Sequence, residues 1–112
     1  MNLHLDYTTA YKAWNSINSS KLSDLKRALF KAAYRYATIR AEWQFMGMDE
    51  QTEADAGRTA AHNHFIDCCN ILSRQQTALG EDNRWRSDIG IERKLIGDFA
   101  CYVNCFIGIN NR

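Results

Sequence analysis

Residues 22–46, LSDLKRALFKAAYRYATIRAEWQFM, decide the fold of this 112-residue chain. Their apolar residues recur at alternating steps of three and four, which places one hydrophobic stripe along a helix. The stripe consists of Leu22, Leu25, Leu29, Ala32, Tyr36, Ile39 and Trp43. At 1.5 Å per residue such a helix is about 37 Å long, which is long for a chain of this size. We therefore predict that it forms the centre of a helical bundle.

A second apolar stripe follows another face of the same segment. Its members are Phe30, Tyr34, Ala37, Ala41 and Phe45. Two stripes are typical of a helix that is covered on both sides, and aromatic residues are enriched in interface cores. We predict a homodimer in which a second copy covers Phe30, Tyr34 and Phe45. The alternative is a monomer in which the aromatic residues of the N-terminal segment cover the stripe: Tyr7, Tyr11 and Trp14.

Helical spacing recurs in three other segments, and the chain contains no proline. A short helix follows Asp6, a second pattern runs from Arg58 until Gly80 stops it, and a last helix should begin within 87–91. We expect the polar, glycine-containing end, 108–112, not to continue that helix. The sequence predicts an all-α fold, a single-domain helical bundle over residues 1–112 with three long helices plus a short N-terminal helix.

The start of the third long helix is left open by the sequence. The stretch 49–57 carries four acidic residues and no basic residue, which suits a helix N-terminus. Gly57 opposes this, because glycine inside a helix costs about 1 kcal/mol relative to alanine.

Composition limits the classes of partner. The formal net charge of +1 provides no general attraction for nucleic acid or for an anionic membrane. Because the first six residues do not resemble a secretion signal and no window is apolar enough to span a membrane, we expect a cytoplasmic protein with no membrane partner. Its four cysteines are then expected to be reduced thiols.

A polar constellation is the first candidate site. Arg58 and His62 lie one helical turn apart, Asn63 follows, and Asp98 comes from the last helix. If the helices pack antiparallel, Asp98 meets Arg58 or His62, and the group is able to hold a small anion. The favoured interpretation is structural: an Arg58–Asp98 ion pair that fixes helix register, since buried arginine and aspartate are almost always paired.

Metal binding is a sharper hypothesis with less support. His64 with Cys68, and Cys101 with Cys105, are pairs spaced four residues apart, and together they provide an acceptable zinc ligand set. Both pairs lie off the apolar stripes, and no C-x-x-C or H-E-x-x-H motif occurs. We predict no metal and no cofactor.

Nucleic-acid binding is the third candidate. Arg27, Lys31 and Arg35 form a row on the central helix, and Arg84 and Arg86 flank a tryptophan. Basic rows with aromatic residues bind phosphates and stack bases. On a nearly neutral chain such a row is more often a solvated face, so this function is not favoured.

No nucleophile motif supports an enzyme. By elimination, we predict a small cytosolic protein-interaction or regulatory module that binds a partner protein through helical surfaces. The alternatives are a nucleic-acid-associated factor that uses the basic rows, and a small-ligand or metal site near Arg58, His62 and Asp98.

Several short runs in the C-terminal two thirds of the chain resemble a known group of proteins. The runs are Ala41-x-Trp43 before the acidic stretch, Arg58-Thr59-x-x-His62-Asn63, Asn70-x-Leu72-x-Arg74, and Ile96-Gly97-Asp98-Phe99-Ala100-Cys101-Tyr102. They are similar to motifs in a family of small, uncharacterised, all-helical proteins of Gram-positive bacteria and their mobile elements. The resemblance implies a bacterial or phage cytosolic origin and directs attention to Arg58, His62, Asn63 and Asp98, but it implies no activity.

Overall fold

The computed structural model describes residues 4–110, with side chains as far as residue 106, so residues 1–3 and 111–112 lie outside it. The helices in chain order are α1 (Tyr7–Ser16), α2 (Ser23–Gln44), α3 (Met48–Ala78), α4 (Arg84–Asp88) and α5 (Arg93–Asn110). A 3-10 turn precedes α2. Between residues 4 and 110 the chain forms no strand. The predicted all-α bundle of three long helices with a short N-terminal helix is confirmed, and α4 is an addition to it.

Helix α2 is the central element. It packs extensively on both α3 and α5, which touch each other much less, while α1 lies across α4 and α5. The first apolar stripe of α2, which we call the inner stripe, faces the core. Its Leu29, Ala32 and Tyr36 are buried, and its Leu25 and Ile39 pack against the same core. Since burying a large apolar side chain stabilises a fold by about 1.5–3 kcal/mol, this stripe is a main source of stability.

The described residues of one chain leave much of the second stripe of α2 uncovered. Phe30 is half-buried, but Tyr34 is 59% exposed and Phe45 is 91% exposed. Helix α1, which the monomeric alternative places over this stripe, leaves Tyr34 and Phe45 exposed. Its Tyr7 and Tyr11 pack edge-on against Phe106 of α5 instead, with ring centroids 5.4 and 5.3 Å away.

The start of α3 is settled at Met48, so the acidic stretch is helical and includes Gly57. Asp49 and Glu50 lie in the first turn, where the helix dipole favours negative charge. Trp43 and Gln51 tie α2 to α3 reciprocally, because the indole donates to the Gln51 carbonyl at 3.3 Å and the Gln51 amide donates to the Trp43 carbonyl at 3.0 Å. These contacts offset the unfavourable glycine.

Glycine ends α3 as predicted. Gly80 has a φ of 72°, and the next amide, that of Glu81, donates to the Gln76 carbonyl at 2.8 Å, which closes the helix end.

Two predictions about the last helix are wrong. It begins at Arg93, because Ser87 and Asp88 end α4 and Gly90, at a φ of 79°, turns the chain between the two helices. It also continues through Gly108 to Asn110. A single glycine costs only about 1 kcal/mol, which does not stop a helix whose inner face is packed as far as Phe106.

Candidate functional site

Asp98 of α5 is the centre of a polar cluster. Its carboxylate accepts hydrogen bonds from Lys94 Nζ at 2.9 Å, Arg40 Nη2 at 3.4 Å and the Leu5 amide at 3.2 Å. The Nδ1 atom of His4 lies 3.8 Å away. The predicted Arg58–Asp98 pair is therefore wrong, and so is a contact between Asp98 and His62: Arg40, from α2, is the arginine that reaches this carboxylate.

Gly97 explains why Arg40 takes this place. A Cβ atom at Gly97 would lie 2.7 Å from Arg40 Nη1, so the missing side chain provides the space that the guanidinium occupies. The same guanidinium donates to Cys101 Sγ at 3.7 Å. The sequence patterns did not identify Arg40 as the partner of Asp98. The available signal was its position one turn after buried Tyr36.

Arg58 of α3 is held by two other groups. Its guanidinium lies over the Trp43 ring, 4.2 Å from the centroid, and its Nη2 atom is 3.4 Å from Asp55 Oδ1. The Nε atom is buried and has no hydrogen-bond partner among the described residues. An unsatisfied buried donor costs about 1–3 kcal/mol, so the contacts of Arg58 with the described residues leave part of its hydrogen-bonding capacity unused.

Cationic side chains from three helices surround one cavity, which we call the basic cleft. It has a volume of about 340 Å³ and is lined by Tyr36, Arg40, Arg58, Arg93 and Lys94. Arg93 makes only a long contact, 3.5 Å, to the Thr59 hydroxyl. The cleft therefore brings together one predicted site residue, Arg58, with three cations that the sequence analysis did not place there.

His62 lies behind this cleft rather than at its surface. It is 5% exposed, its ring packs edge-on against Tyr36 at 5.2 Å, and its Nε2 atom is buried without a partner. Burial lowers the pKa of His62, and the charges of Arg93, Arg58 and Arg40 lower it further, against the opposing effect of a hydrogen bond with Asn63. Asn63 itself is exposed.

We expect acid to weaken the fold through His62. The unfolded chain binds a proton at the ordinary histidine pKa of 6.5, whereas the folded chain resists it. Stability is therefore unaffected by this group above pH 6.5 and falls as the pH drops below that value. Thermal unfolding between about pH 7 and pH 5 measures the effect. Between these pH values the unfolding temperature of His62→Gln should fall less than that of wild type, whereas the control variant at an exposed histidine, His64→Gln, should behave like wild type. If the unfolding temperatures of His62→Gln and wild type depend on pH in the same way, His62 is not the group responsible.

The pKa of Asp98 is perturbed in the opposite sense to a simply buried acid. Burial alone would raise it, but hydrogen bonds from Lys94 and the Leu5 amide, with the charges of Lys94 and Arg40, lower the pKa below 3.8. Asp98 is thus a carboxylate at neutral pH, and it neutralises part of the positive charge of the cleft.

The two predicted basic groups differ in availability. Arg27, Lys31 and Arg35 are exposed on α2, and no described carboxylate forms an ion pair with them. Arg84 pairs with Asp82 at 2.8 Å. Arg86 donates to Asn70 Oδ1 at 2.8 Å and to the Gly90 carbonyl at 3.0 Å, so it connects α4 to α3. Of these two predicted groups, the row on α2 is the one that has no ion-pair partner among the described residues.

The cysteines do not assemble into a ligand set. His64 Nε2 and Cys68 Sγ lie 3.8 Å apart, but nowhere in residues 4–106 do three potential metal ligands converge. Burial raises the pKa of Cys69 to about 12, which keeps this thiol protonated.

None of the helices described is both long enough and apolar enough to cross a membrane. Comparison of the chain with protein-family models, with curated proteins and with solved structures finds no significant match.

Proposed function

We propose that this protein is a small interaction module that acts as a homodimer. Its interface is the second apolar stripe of the central helix, which we call the outer stripe: Phe30, Tyr34, Ala37, Ala41 and Phe45. The observation that supports this is the exposure of two large aromatic side chains: Tyr34 on α2, and Phe45, the residue that follows its last turn. Exposed clusters of large apolar side chains mark interaction sites in proteins that do not aggregate.

The shape of the stripe suits an antiparallel pair of α2 helices. Its middle carries Ala37 and Ala41, and its aromatic residues lie towards the two ends. Helix axes approach more closely where the contacting side chains are small. In an antiparallel pair, Phe30 and Tyr34 of one copy lie near Phe45 of the second copy.

Charge along α2 supports the same arrangement. The N-terminal half of its exposed face carries Arg27, Lys31 and Arg35, whereas Glu42 lies at its other end, beside the acidic start of α3. A two-fold axis perpendicular to α2 makes the pair antiparallel and brings each end of one helix against the opposite end of the other. The basic row of each copy then faces the acidic end of its partner, which makes the surface complementary to itself.

A reducing compartment is consistent with this function. All four cysteines are free thiols, among them partly exposed Cys68 and exposed Cys105. Because disulfides persist in oxidising compartments and are rare in the cytosol, we propose that the module acts in the cytoplasm.

The substitution Phe45→Glu tests the interface. Placing a charge in an aromatic contact should weaken self-association at least tenfold, or about 1.4 kcal/mol in total. Sedimentation equilibrium over a concentration series measures the dissociation constant, and circular dichroism verifies that the variant is folded.

The matched control is Ile91→Glu. Ile91 is 84% exposed but lies in the connection before α5, outside the outer stripe. We expect Ile91→Glu to associate like wild type. A wild-type chain that sediments as a monomer at all concentrations, or a Phe45→Glu variant with unchanged association, would overturn the proposal.

A further inference from the structure

We propose that the basic cleft binds a phosphate group carried by a small molecule, with Arg58 and Arg93 as its principal ligands. This goes beyond the proposed function, because the cleft and the dimer surface lie on different faces of α2. At about 100° per residue, Arg40 of the cleft lies about 120° around the helix from Tyr34 of the outer stripe.

The cleft contains more positive charge than its carboxylates neutralise. Arg40 and Lys94 share a single acceptor, Asp98, within 3.4 Å. Arg58 has Asp55 at 3.4 Å, and Arg93 has only the Thr59 hydroxyl. Four cations against two carboxylates leave a surplus of two positive charges. That surplus matches a phosphate dianion better than a single carboxylate.

The donors also have the geometry that phosphate recognition uses. Arginine presents a planar fork of N–H groups that binds phosphate oxygens in pairs. The Trp43 ring fixes the plane of the Arg58 guanidinium, whose buried Nε–H has no partner. Arg93 approaches the same cavity from the first turn of α5, where no acidic residue opposes a bound anion.

The position of the two α5 cations is itself unusual. Arg93 and Lys94 lie at a helix N-terminus, where the dipole disfavours positive charge. They also lie close to the arginines of α2 and α3 that line the cleft. A bound dianion would relieve this repulsion.

The size of the cavity indicates a small ligand. About 340 Å³ lies within the range of small-molecule sites, and the cleft is an open one lined by side chains of three helices. A phosphate with a short organic substituent fits this space.

Calorimetric titration of the full chain with inorganic phosphate and pyrophosphate tests the proposal. Citrate at matched ionic strength serves as the carboxylate alternative. We expect saturable binding of phosphate or pyrophosphate that is tighter than citrate, and at least tenfold weaker in Arg93→Gln. The exposed arginine variant Arg84→Gln and the dimer variant Phe45→Glu should bind like wild type, which separates this proposal from the proposed function.

A second readout needs no variant. The NMR resonance of the Arg58 Nε–H should shift on addition of phosphate and follow the same saturation curve as the calorimetry. The proposal is overturned if binding does not saturate, if citrate binds as tightly as phosphate, or if Arg84→Gln loses as much affinity as Arg93→Gln. An Arg58 resonance that stays in place would likewise remove this residue from the site.

Discussion

Replacing Trp85 by alanine is expected to lower the free energy of unfolding by about 3–5 kcal/mol, which is a large fraction of the stability of a domain this size. Trp85 is 2% exposed, its indole stacks on Phe99 at 6.2 Å, and its Nε1–H donates to Gln76 Oε1 at 2.6 Å. The substitution leaves a cavity between α3, α4 and α5 and also removes the partner of a buried amide.

Urea unfolding followed by circular dichroism measures this loss, and two companion variants separate its causes. Trp85→Phe retains most of the ring volume but leaves the buried Gln76 amide without its hydrogen-bond partner. We therefore expect a smaller loss in the free energy of unfolding, about 1–3 kcal/mol. Adding Gln76→Leu to Trp85→Phe should recover part of that loss, because no buried polar atom is then left unpaired. A loss below about 1 kcal/mol in Trp85→Ala would mean that α4 is not part of the core.

The features that sequence predicted correctly are local ones. The inner stripe of α2 repeats every three or four residues, and that period alone determines which face is buried. The end of α3 is also a local feature. It needs one residue with a positive φ, and glycine at position 80 adopts this conformation without steric cost.

The features that sequence missed depend on contacts between distant residues. Arg40 and Asp98 are 58 positions apart, and their pairing depends on α2 lying against α5 at Gly97. The Trp85–Gln76 hydrogen bond forms only because α4 folds back on α3. A five-residue helix also provides too short a pattern for periodicity to detect.

The outer stripe of α2 illustrates a different limit. Its apolar spacing predicts that Tyr34 and Phe45 are covered, but spacing does not distinguish a cover made by the same chain from one made by a second copy. The position of α1 against α5 excludes the first arrangement for these two residues. The second arrangement is the basis of the proposed dimer.

Reversing the charges of the basic row is expected to abolish most of the self-association. In the variant Arg27→Glu/Lys31→Glu/Arg35→Glu, the new glutamates of one copy would face the acidic end of the other copy, so like charges would repel at both ends of the antiparallel pair. Because the interface is two-fold, each of the three residues would form its charge pair twice, once at each end. At about 0.5 kcal/mol for each exposed charge pair, the loss of binding free energy is about 3 kcal/mol, or roughly 100-fold in the dissociation constant. Wild-type association should also weaken as salt is added, because these pairs are screened.

A complementary variant, Glu42→Lys/Glu50→Lys/Glu53→Lys, reverses the acidic end and should weaken self-association to a similar degree. All six positions are exposed, so both variants should remain folded. In a mixture of the two, each end of an antiparallel heterodimer would again pair opposite charges.

The proposal that α2 forms an antiparallel dimer interface is tested most directly by sedimentation equilibrium of the two charge-reversed chains, alone and in an equimolar mixture. The proposed dimer predicts two chains that are monomeric alone and that form a heterodimer, with affinity close to that of wild type, when mixed. Unchanged self-association of either variant, or no heterodimer in the mixture, would contradict an antiparallel interface along this helix.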